Sequence, residues 1–563
     1  MNNHDIASIL KDTAKLMELH EGNPFKIKSY QNAAFNIDRL ETELSDMDEK
    51  EMGAVKGIGK SMVAKIQNIL STGELEDLEK MLQDTPTGVI EMMRVKGIGP
   101  KKVAVLWKEL EIENLGELLY ACNENRLIEL KGFGEKSQNS IKKVVEFTIS
   151  NKGIHHYASL EVDAKEISEF IQKKIKNIDL SFTGALRRKC EVLDKIEFVS
   201  SANADELEKS IKSSKLLSVD KKDKDSLTAI TSENVNVVFY LCNEKSFSTT
   251  LFKTTASEEH LSELDKIKKS DSVLSKALNS EEEIYKEFGL AYIEPELREG
   301  LDEIKWAKAN KLPELIEHAD LKGILHNHST YSDGQNSLQE MAEHCKELGF
   351  EYLGICDHSK SAFYANGMSA DTIKKQHKEI DELNKKLAPF KILKGIESDI
   401  LHSGSLDYED DVLASFDFIV ASVHSGLKMD KEKATKRLIT AIENPFTTIL
   451  GHPTGRLLLA REGYPIDHKK VIDACAKNDV VIELNAHPYR LDLDWRWIQY
   501  ALSKRVMISI NPDAHHVDGY GDMYYGVCVA RKGALGKAMT FNTKSLKEIE
   551  DYFQKRKKNI LVS

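Results

Sequence analysis

Nine side chains of the types that bind metal ions recur across the C-terminal part of this chain. They are His326, His328, Asp333, His358, Glu397, His424, His452, Asp513 and His515. Imidazoles and carboxylates are the ligands of zinc, manganese and iron sites, and nine of them are enough for two or three divalent ions. Because such ions activate water for attack on phosphoesters, the pattern predicts a hydrolytic centre.

Short apolar runs precede several of these residues and indicate the elements that position them. The runs are GIL before His326, FIVASV before His424, TTIL before His452 and MISI before Asp513. Side chains that follow buried strands lie at the carboxyl ends of the strands, where α/β barrels carry their chemistry. From about Asp320 the chain alternates apolar strands with helical patterns and holds 12 of the 18 histidines. We therefore expect a distorted (β/α) barrel in this region.

Other polar residues accompany this set. Arg456 and Arg490 are the candidate phosphate clamps, because a guanidinium group binds phosphate through paired hydrogen bonds. Asp357 directly precedes a predicted ligand and is a candidate for orienting an imidazole. Three further histidines lie near the motifs but outside the pattern, and both a supporting role and no role stay open for them: His402, His487 and His516.

A glycine-containing element occurs three times in the first 150 or so residues, as VKGIGKSMVAKI, VKGIGPKKVAVL and LKGFGEKSQNSI. The glycines can turn the chain sharply between two helices, and the first N–H groups of the second helix then bind a phosphate oxygen. The candidate DNA contacts are Gly57, Gly59, Lys60, Gly97, Gly99, Lys101, Gly132, Gly134 and Lys136, with charge added by Lys56, Lys96 and Lys131. This helix-hairpin-helix pattern is typical of proteins that hold the DNA backbone without reading its sequence.

The composition bounds the class of protein. With 563 residues, 41% hydrophobic and 30% charged, the chain is expected to form three or four globular domains. Its net charge of −12 argues against DNA binding through bulk positive charge. No apolar run is long enough to cross a membrane, the N-terminus is too polar for a signal peptide, and the seven cysteines form no CxxC pair. A cytoplasmic protein is expected.

Together these motifs resemble the bacterial DNA polymerase X family (polymerase-beta-like), whose members carry a C-terminal PHP (polymerase and histidinol phosphatase) domain. GNPFKIKSYQNAA at residues 22–34 and YKEFGLAYIEPELREG at residues 285–300 extend the resemblance over nearly the whole chain. It implies a multidomain protein with all-α helix-hairpin-helix domains, namely a lyase-like domain over 1–82 and fingers over 83–152. An α/β nucleotidyltransferase-like palm and thumb over 153–318 and a PHP barrel over 319–563 would follow, and the nine residues match the PHP pattern.

The palm departs from the family pattern, in which three aspartates hold two Mg²⁺ ions and a serine contacts the triphosphate. The register set by Arg187, Arg188 and Glu191 places other residue types at the serine and at two aspartate positions: Ala185, Lys195 and Glu197. Aligned through Ser246 and Phe247 downstream, the third aspartate position falls on Val238. Residues 253–257, KTTAS, stand where the family has YFTGS. We interpret the palm as a degenerate site that serves as a scaffold or DNA-binding surface. A shifted register with Asp194 and Glu197 as the metal pair is the alternative, although adjacent strand residues point to opposite faces.

The resemblance also makes Lys65, in the helix after the first hairpin, a candidate lyase nucleophile that forms a Schiff base with an abasic sugar. Amine catalysis of this kind requires a lysine whose pKa is lowered by burial or by a second cation. A solvated helix lysine is the alternative interpretation.

The sequence thus predicts a DNA-repair enzyme in which the PHP domain hydrolyses phosphodiesters as a 3′-5′ exonuclease or an abasic-site endonuclease. Its cofactors would be two or three Zn, Mn or Fe ions, with Mg only if the palm is active and a monovalent cation at the hairpins. Its partner would be gapped, nicked or abasic DNA, bound by a monomer. The alternatives are a gap-filling polymerase with non-standard ligands, a histidinol-phosphate-like phosphatase and a non-enzymatic DNA-binding platform.

Overall fold

A computed structural model of the chain describes residues 1–40, 42–95, 97–128, 130–150 and 153–562. Lys96, one of the predicted hairpin lysines, lies outside these ranges. The chain divides into two compact units, Met1–Phe147 and Thr148–Ser563. None of the described helices is long and apolar enough to cross a membrane. The predicted division into four domains stays a prediction.

The first unit is helical in its described part. Its helices are α1 (Asn3–Leu19), α2 (Pro24–Ile37), α3 (Glu49–Ala54), α4 (Lys60–Thr72), α5 (Glu76–Asp84), α6 (Thr87–Met92), α7 (Pro100–Glu109), α8 (Leu115–Asn123) and α9 (Glu135–Ser150). Apolar residues at helical spacing on α1 and α4, including Ile6, Leu10 and Ile66, form one buried cluster with Tyr30 of α2.

The second unit begins with a mixed region. Its elements are β1 (His155–His156), α10 (Tyr157–Lys174), β2 (Leu180–Phe182), α11 (Gly184–Arg187), β3 (Val192–Leu193), β4 (Lys195–Ser200), α12 (Ala204–Lys212), β5 (Leu217–Lys222), β6 (Ser226–Thr231), β7 (Asn236–Leu241), α13 (Phe247–Thr255), α14 (Glu258–Asp265), α15 (Ser270–Leu274), α16 (Glu281–Glu287) and α17 (Glu303–Lys308). Five strands form one sheet in the order β2-β4-β7-β6-β5, and β4 and β7 run parallel. This sheet corresponds to the predicted palm.

The C-terminal region of the second unit is built on seven parallel strands in sequential order. Its elements are β8 (Gly323–Ile324), α18 (Leu338–Glu347), β9 (Tyr352–Ile355), α19 (Ala370–Leu387), β10 (Lys391–Asp399), α20 (Asp410–Leu413), β11 (Phe418–Ser422), α21 (Lys431–Ile442), β12 (Ile449–Leu450), α22 (His468–Asn478), β13 (Val481–Asn485), α23 (Ile498–Ser503), β14 (Ile508–Asn511), α24 (Met523–Lys532) and α25 (Leu546–Val562). These strands read as apolar runs because both faces of a parallel sheet are covered.

Hydrogen bonds from outside the strands bring the two edges of this sheet together. The backbone N–H of His328, after β8, donates to the carbonyl of Ala514, after β14, at 2.9 Å. At the opposite end the side-chain amide of Asn542 donates to the carbonyls of Gly323 and Ile510. The sheet is therefore a nearly closed barrel, as predicted.

The palm and the barrel belong to one compact unit because barrel helix α24 contacts both. The buried ammonium of Lys532 donates to Glu299 at 2.5 Å and to the carbonyl of Arg188 at 3.0 Å. About two turns earlier in α24, the hydroxyl of Tyr524 accepts a hydrogen bond from Lys189 at 2.8 Å. Arg188 and Glu299, which lie in segments that resemble the polymerase family, thus bind the barrel helix.

Candidate metal centre and DNA contacts

The barrel brings all nine predicted ligands to the carboxyl ends of its strands. His326, His328 and Asp333 follow β8, His358 follows β9, Glu397 lies in β10, His424 follows β11, His452 follows β12, and Asp513 and His515 follow β14. His326 and Asp513 adopt positive φ angles of 60° and 55°. This conformation turns the chain sharply at the strand end, and such strain is common at functional sites.

The ligand atoms form three overlapping groups, in each of which all of them lie within 4.8 Å of one another. The groups are His328 with Asp333, His358 and His515; His326 with His328, Glu397 and Asp513; and His358 with Glu397 and His424. The remaining residue, His452, places Nε2 3.0 Å from Oε1 of Glu397. Three groups of mixed nitrogen and oxygen donors suit two or three transition-metal ions.

Glu397 is at the centre of this arrangement. Its Oε1 atom lies 3.0 Å from Nε2 of His424 and 3.3 Å from Nε2 of His326, and its Oε2 atom lies 3.1 Å from Nδ1 of His358. The carboxylate belongs to two of the three groups. A carboxylate in this position can bridge two ions.

Several buried nitrogen and oxygen atoms of the nine residues lack hydrogen-bond partners in the described part of the chain, which shows whether the site fits metal ions. Seven of these atoms make no hydrogen bond to the described residues: His326 Nε2, His328 Nδ1, Asp333 Oδ2, His358 Nδ1 and Nε2, Glu397 Oε2 and His452 Nδ1. Buried polar atoms are nearly always satisfied, because an unsatisfied one costs about 1–3 kcal/mol. Divalent cations bound between these converging atoms would satisfy them, so the residues fit the predicted ions.

The charges of the site hold its acids ionised. Burial alone would raise the pKa of Glu397, but the imidazoles of His424 and His326 outweigh it and hold that pKa well below its usual range. Burial lowers the pKa of His424, but Glu397 and Asp399 outweigh burial and raise it to about 9. Protons thus compete with cations for the imidazoles, so metal binding should weaken in acid.

Two buried carboxylates outside the predicted set orient imidazoles within it. Nδ1 of His326 donates to Glu483 of β13 at 2.6 Å, and Nδ1 of His424 donates to Asp399 at 2.5 Å. Since a carboxylate only accepts, each contact places the proton on Nδ1 and leaves Nε2 toward Glu397. Sequence reasoning missed both acids, although a glutamate within the apolar strand VIELN was a signal for Glu483.

Asp357 has a different role from the predicted one. Its carboxylate accepts hydrogen bonds from Ser329, Ser332 and the side-chain amide of Gln376, at 2.6–2.8 Å. The prediction that it orients an imidazole is wrong, because these donors surround it. Asp357 instead fixes the loop that carries Asp333.

The two candidate clamp residues differ in their surroundings. Arg490 is 4% exposed and places Nε 4.0 Å from Asp513, so it lies at the metal centre. Arg456 pairs with Asp494 at 2.5 Å and donates to the carbonyls of Arg490 and Leu491. Arg456 thus supports the segment that carries Arg490, and a direct clamp role for either arginine stays a prediction.

The three histidines outside the pattern lie outside the groups of ligand atoms found among the described residues. The ring of His402 is exposed and lies over Gly426, where a Cβ would approach it to 2.4 Å. Nδ1 of His487 accepts from the N–H of Tyr489, and Nδ1 of His516 accepts from that of Asp518. These contacts are structural.

The palm site is closed by its own side chains. Strand pairing puts Glu197 of β4 directly beside Val238 of β7, as the predicted register requires. The Glu197 carboxylate pairs with Lys195 at 3.0 Å and accepts from the hydroxyl of Tyr240 at 2.8 Å. Within the described ranges, every group of metal-ligating atoms lies in the barrel, and Asp194 is exposed and outside them all.

The remaining polymerase-signature residues are also engaged. Glu281 accepts from Arg187 at 2.9 Å and also from the buried Arg298, while Arg188 pairs with Glu299 at 3.0 Å. Ala185 and residues 253–257 offer no carboxylate that could replace the missing aspartates. The geometry therefore favours a scaffold role for this site.

In the first unit the three hairpins adopt one geometry. Gly57, Gly97 and Gly132 have φ angles of 89°, 97° and 90°, which favour glycine. Gly59 and Gly99 are the N-cap residues of α4 and α7, where no side chain caps the helix, and Gly134 directly precedes α9. The lysines beside these turns are exposed: Lys56, Lys60, Lys101, Lys131 and Lys136. This arrangement suits phosphate binding at helix N-termini.

Lys65 forms an ion pair rather than standing as a free amine. Its Nζ atom donates to Asp77 at 2.6 Å. Burial lowers the pKa of Lys65, but the hydrogen bonds to Asp77 and Tyr30 outweigh burial and raise it. Amine catalysis requires the opposite shift, so the lyase role of Lys65 stays a prediction without support from this geometry.

Comparison with known families identifies three stretches of the chain. Residues 1–75 match a helix-hairpin-helix domain, residues 89–144 match a SAM-like helix-hairpin-helix tandem, and residues 325–487 match a PHP domain. The PHP match contains seven of the nine candidate ligands, all except Asp513 and His515.

Curated relatives extend the likeness. The chain is 36% identical to "DNA polymerase/3'-5' exonuclease PolX" of Bacillus subtilis (strain 168), over 99% of this chain and 100% of that protein. It is 26% identical to a "Probable phosphatase" of Thermoanaerobacter sp. (strain X514), over 43% of this chain and 98% of that protein. A "Probable phosphatase" of Acetivibrio thermocellus is 29% identical over 29% of this chain and 65% of its own length.

Proposed function

Because this chain belongs to the DNA polymerase X family, we propose that its barrel removes nucleotides from the 3′ ends of DNA or cleaves DNA at abasic sites. Family membership and the PHP domain make it a DNA-repair enzyme with a metal-dependent phosphoesterase centre. The observation that carries the proposal is the convergence of nine donor residues at one end of the barrel.

The ligand groups would hold two or three divalent ions, with Glu397 shared between groups. Zn, Mn and Fe suit this mixture of imidazole and carboxylate donors. Ions in such a site supply Lewis acidity, which makes water nucleophilic near neutral pH and stabilises negative charge on the phosphodiester.

Residues of the chain would prepare the site for this chemistry. Glu483 and Asp399 hold Nδ1 protons on His326 and His424, so that their Nε2 atoms face inward. Arg490, whose Nε lies 4.0 Å from Asp513, would bind a non-bridging phosphate oxygen. Burial of the ligands excludes bulk water, which strengthens every electrostatic interaction in the site.

The hairpins bind DNA, which is consistent with two matched helix-hairpin-helix models. We further propose that a monomer binds gapped, nicked or abasic DNA, that a monovalent cation assists at the hairpins, and that the degenerate palm adds a surface. Backbone contacts of this kind position the substrate without reading its sequence.

The direct test uses the purified full chain with Mn²⁺ and 3′-labelled DNA. We expect cleavage that is abolished in the double variant His328→Ala with Asp333→Ala. The matched control is His344→Ala, because His344 lies on barrel helix α18 away from the ligand groups. Absence of cleavage, or cleavage that survives the double substitution, would refute the proposal.

A gap-filling polymerase is the second candidate, because the full-length relative is named a DNA polymerase. Primer extension on a one-nucleotide gap distinguishes the two functions. The Lys195–Glu197 pair predicts no incorporation, whereas incorporation that is lost in Glu197→Ala would establish synthesis with unusual ligands.

A small-molecule phosphatase is a third candidate, favoured by the relatives named probable phosphatases. Hydrolysis of phosphomonoesters such as histidinol phosphate, with no cleavage of DNA, would favour this function over the nuclease.

A further inference from the structure

An exposed aromatic side chain lies in the loop that follows the candidate ligand His358. Phe363 begins the short turn Phe363–Ala365, five residues after His358, and is 87% exposed. A single exposed apolar side chain is common on protein surfaces, so exposure alone assigns no role. Phe363 differs from other exposed apolar residues in its place in the loop that follows the candidate ligand His358.

The loop that carries Phe363, residues 359–368, is anchored to the metal site at both ends. The N–H of Ser359 donates to the carbonyl of Glu397 at 3.0 Å. The N–H of Met368 donates to the carbonyl of His358 at 2.8 Å, and the hydroxyl of Tyr408 donates to the carbonyl of Met368 at 2.5 Å. The two ends of the loop are therefore fixed by hydrogen bonds to the backbone of two candidate ligands, Glu397 and His358.

The residue next to Phe363 defines where the tip lies. The ring centroid of Tyr364 lies 6.1 Å from that of His358 and 6.5 Å from that of His424. Tyr364 is half-buried and Phe363 is exposed, and their Cα atoms are about 3.8 Å apart, so Phe363 is the exposed neighbour of a side chain that borders the site. Lys360 of the same loop is also exposed.

We propose that Phe363 stacks on a nucleobase beside the scissile phosphodiester, while Lys360 contacts a neighbouring backbone phosphate. This inference rests on the proposed nuclease function and specifies its substrate as a nucleic acid with an unpaired base at the site. Exposed aromatic side chains next to a lysine are the means by which proteins bind single strands without sequence preference. A small phosphate ester without a base would make no use of such a side chain.

The test compares two 3′-labelled single strands, one ending in a normal nucleotide and one ending in an abasic tetrahydrofuran nucleotide. We expect Phe363→Ala to raise KM about tenfold for the normal strand and to leave the abasic strand nearly unchanged. Phe363→Trp should retain the wild-type KM. Leu348→Ala is the matched control, because Leu348 is 51% exposed and precedes β9 at the opposite end of that strand.

The outcomes separate this inference from the nuclease proposal. If the wild type cleaves neither strand, the nuclease proposal fails. If it cleaves both and Phe363→Ala changes neither KM, or changes both equally, the stacking inference is overturned.

A second measurement does not depend on hydrolysis. A strand with 2-aminopurine at its 3′ end is bound in EDTA, where stacking on an aromatic ring quenches the fluorescence. Quenching should be lost in Phe363→Ala and kept in Leu348→Ala. Equal quenching in all three proteins would contradict the inference.

Discussion

The imidazole of His326 donates its Nδ1 proton to Glu483 at 2.6 Å, and this glutamate is fully buried in strand β13. The carboxylate also accepts from the side-chain amides of Asn485 and Asn511 and from the N–H of His452. One acid thus positions two of the nine ligand residues. It is held by donors from three strand ends.

We expect Glu483→Gln to weaken metal binding by about 10–100-fold, because loss of a carboxylate partner reorients a ligand imidazole. Competition with a chromogenic chelator, together with metal analysis of the purified protein, measures this change. The control is Glu382→Gln, which alters an exposed glutamate of helix α19. Equal affinity in wild type and Glu483→Gln would contradict the assigned role.

Removal of metal should destabilise the second unit, because three groups of buried donors would lose their common partners. An ion present at 100 times its Kd stabilises the folded state by about 2.7 kcal/mol. We therefore expect the Tm to fall after treatment with a chelator and to recover with Mn²⁺ or Zn²⁺. His328→Ala should remove most of this response, since His328 belongs to two groups, and an unchanged Tm after chelation would contradict the site.

Stability should fall in mild acid because of His156, which joins the palm to the barrel. Burial lowers the pKa of this imidazole to about 4, against its hydrogen bond to the carbonyl of Leu458. The pKa of His156 is lower in the folded state than in the unfolded state, where it is about 6.5. The contribution of neutral His156 to the free energy of unfolding is therefore complete above pH 6.5 and is lost as the pH falls toward 4.

The expected loss between pH 7 and pH 5 is about 2 kcal/mol. Denaturant unfolding of wild type and His156→Gln at both pH values measures it, and the variant should show a smaller dependence. His4→Gln, which alters an exposed histidine, should behave as wild type. A pH dependence that is the same with and without His156 would exclude this cause.

Lys532→Met should destabilise the protein by about 1.5–3 kcal/mol, because it removes a charge-assisted hydrogen bond to the partly buried Glu299, which keeps its pair with Arg188. Lys504→Met removes the exposed pair with Asp473 and should cost less than about 1 kcal/mol. Denaturation midpoints of the two variants give the comparison. Equal midpoints would show that Lys532 does not stabilise the contact between palm and barrel.

The candidate metal centre could be predicted largely from the sequence because its ligands sit at strand ends. Apolar runs identify the strands, and the chain order of a parallel barrel places residues after each strand at one end, as for His358 and His452. Glu483 was missed because its role depends on the distance to His326, which is 157 residues away in the chain. Asp357 was placed near the site correctly, but its partners on two neighbouring segments could not be foreseen.

For the palm, the sequence predicted which residue types are present but not which partners they bind. Residue types at Lys195 and Val238 sufficed to predict lost metal ligands, since an ammonium and an isopropyl group cannot hold Mg²⁺. The partners of Arg188 and Lys532 could not be predicted, because they come from segments more than 100 residues apart. The ion pair of Lys65 with Asp77 likewise required the fold.

Helix α24 belongs to the barrel and also contacts the palm region of the same compact unit. A truncated product that starts at the barrel would expose the ammonium of Lys532 to solvent, together with the rings of Tyr524 and Tyr525, which pack against the apolar cluster of the palm. We therefore expect a barrel fragment of this chain to be less stable, and more prone to aggregate, than the full chain. The contacts of α24 therefore give the palm a structural role that does not depend on its chemistry.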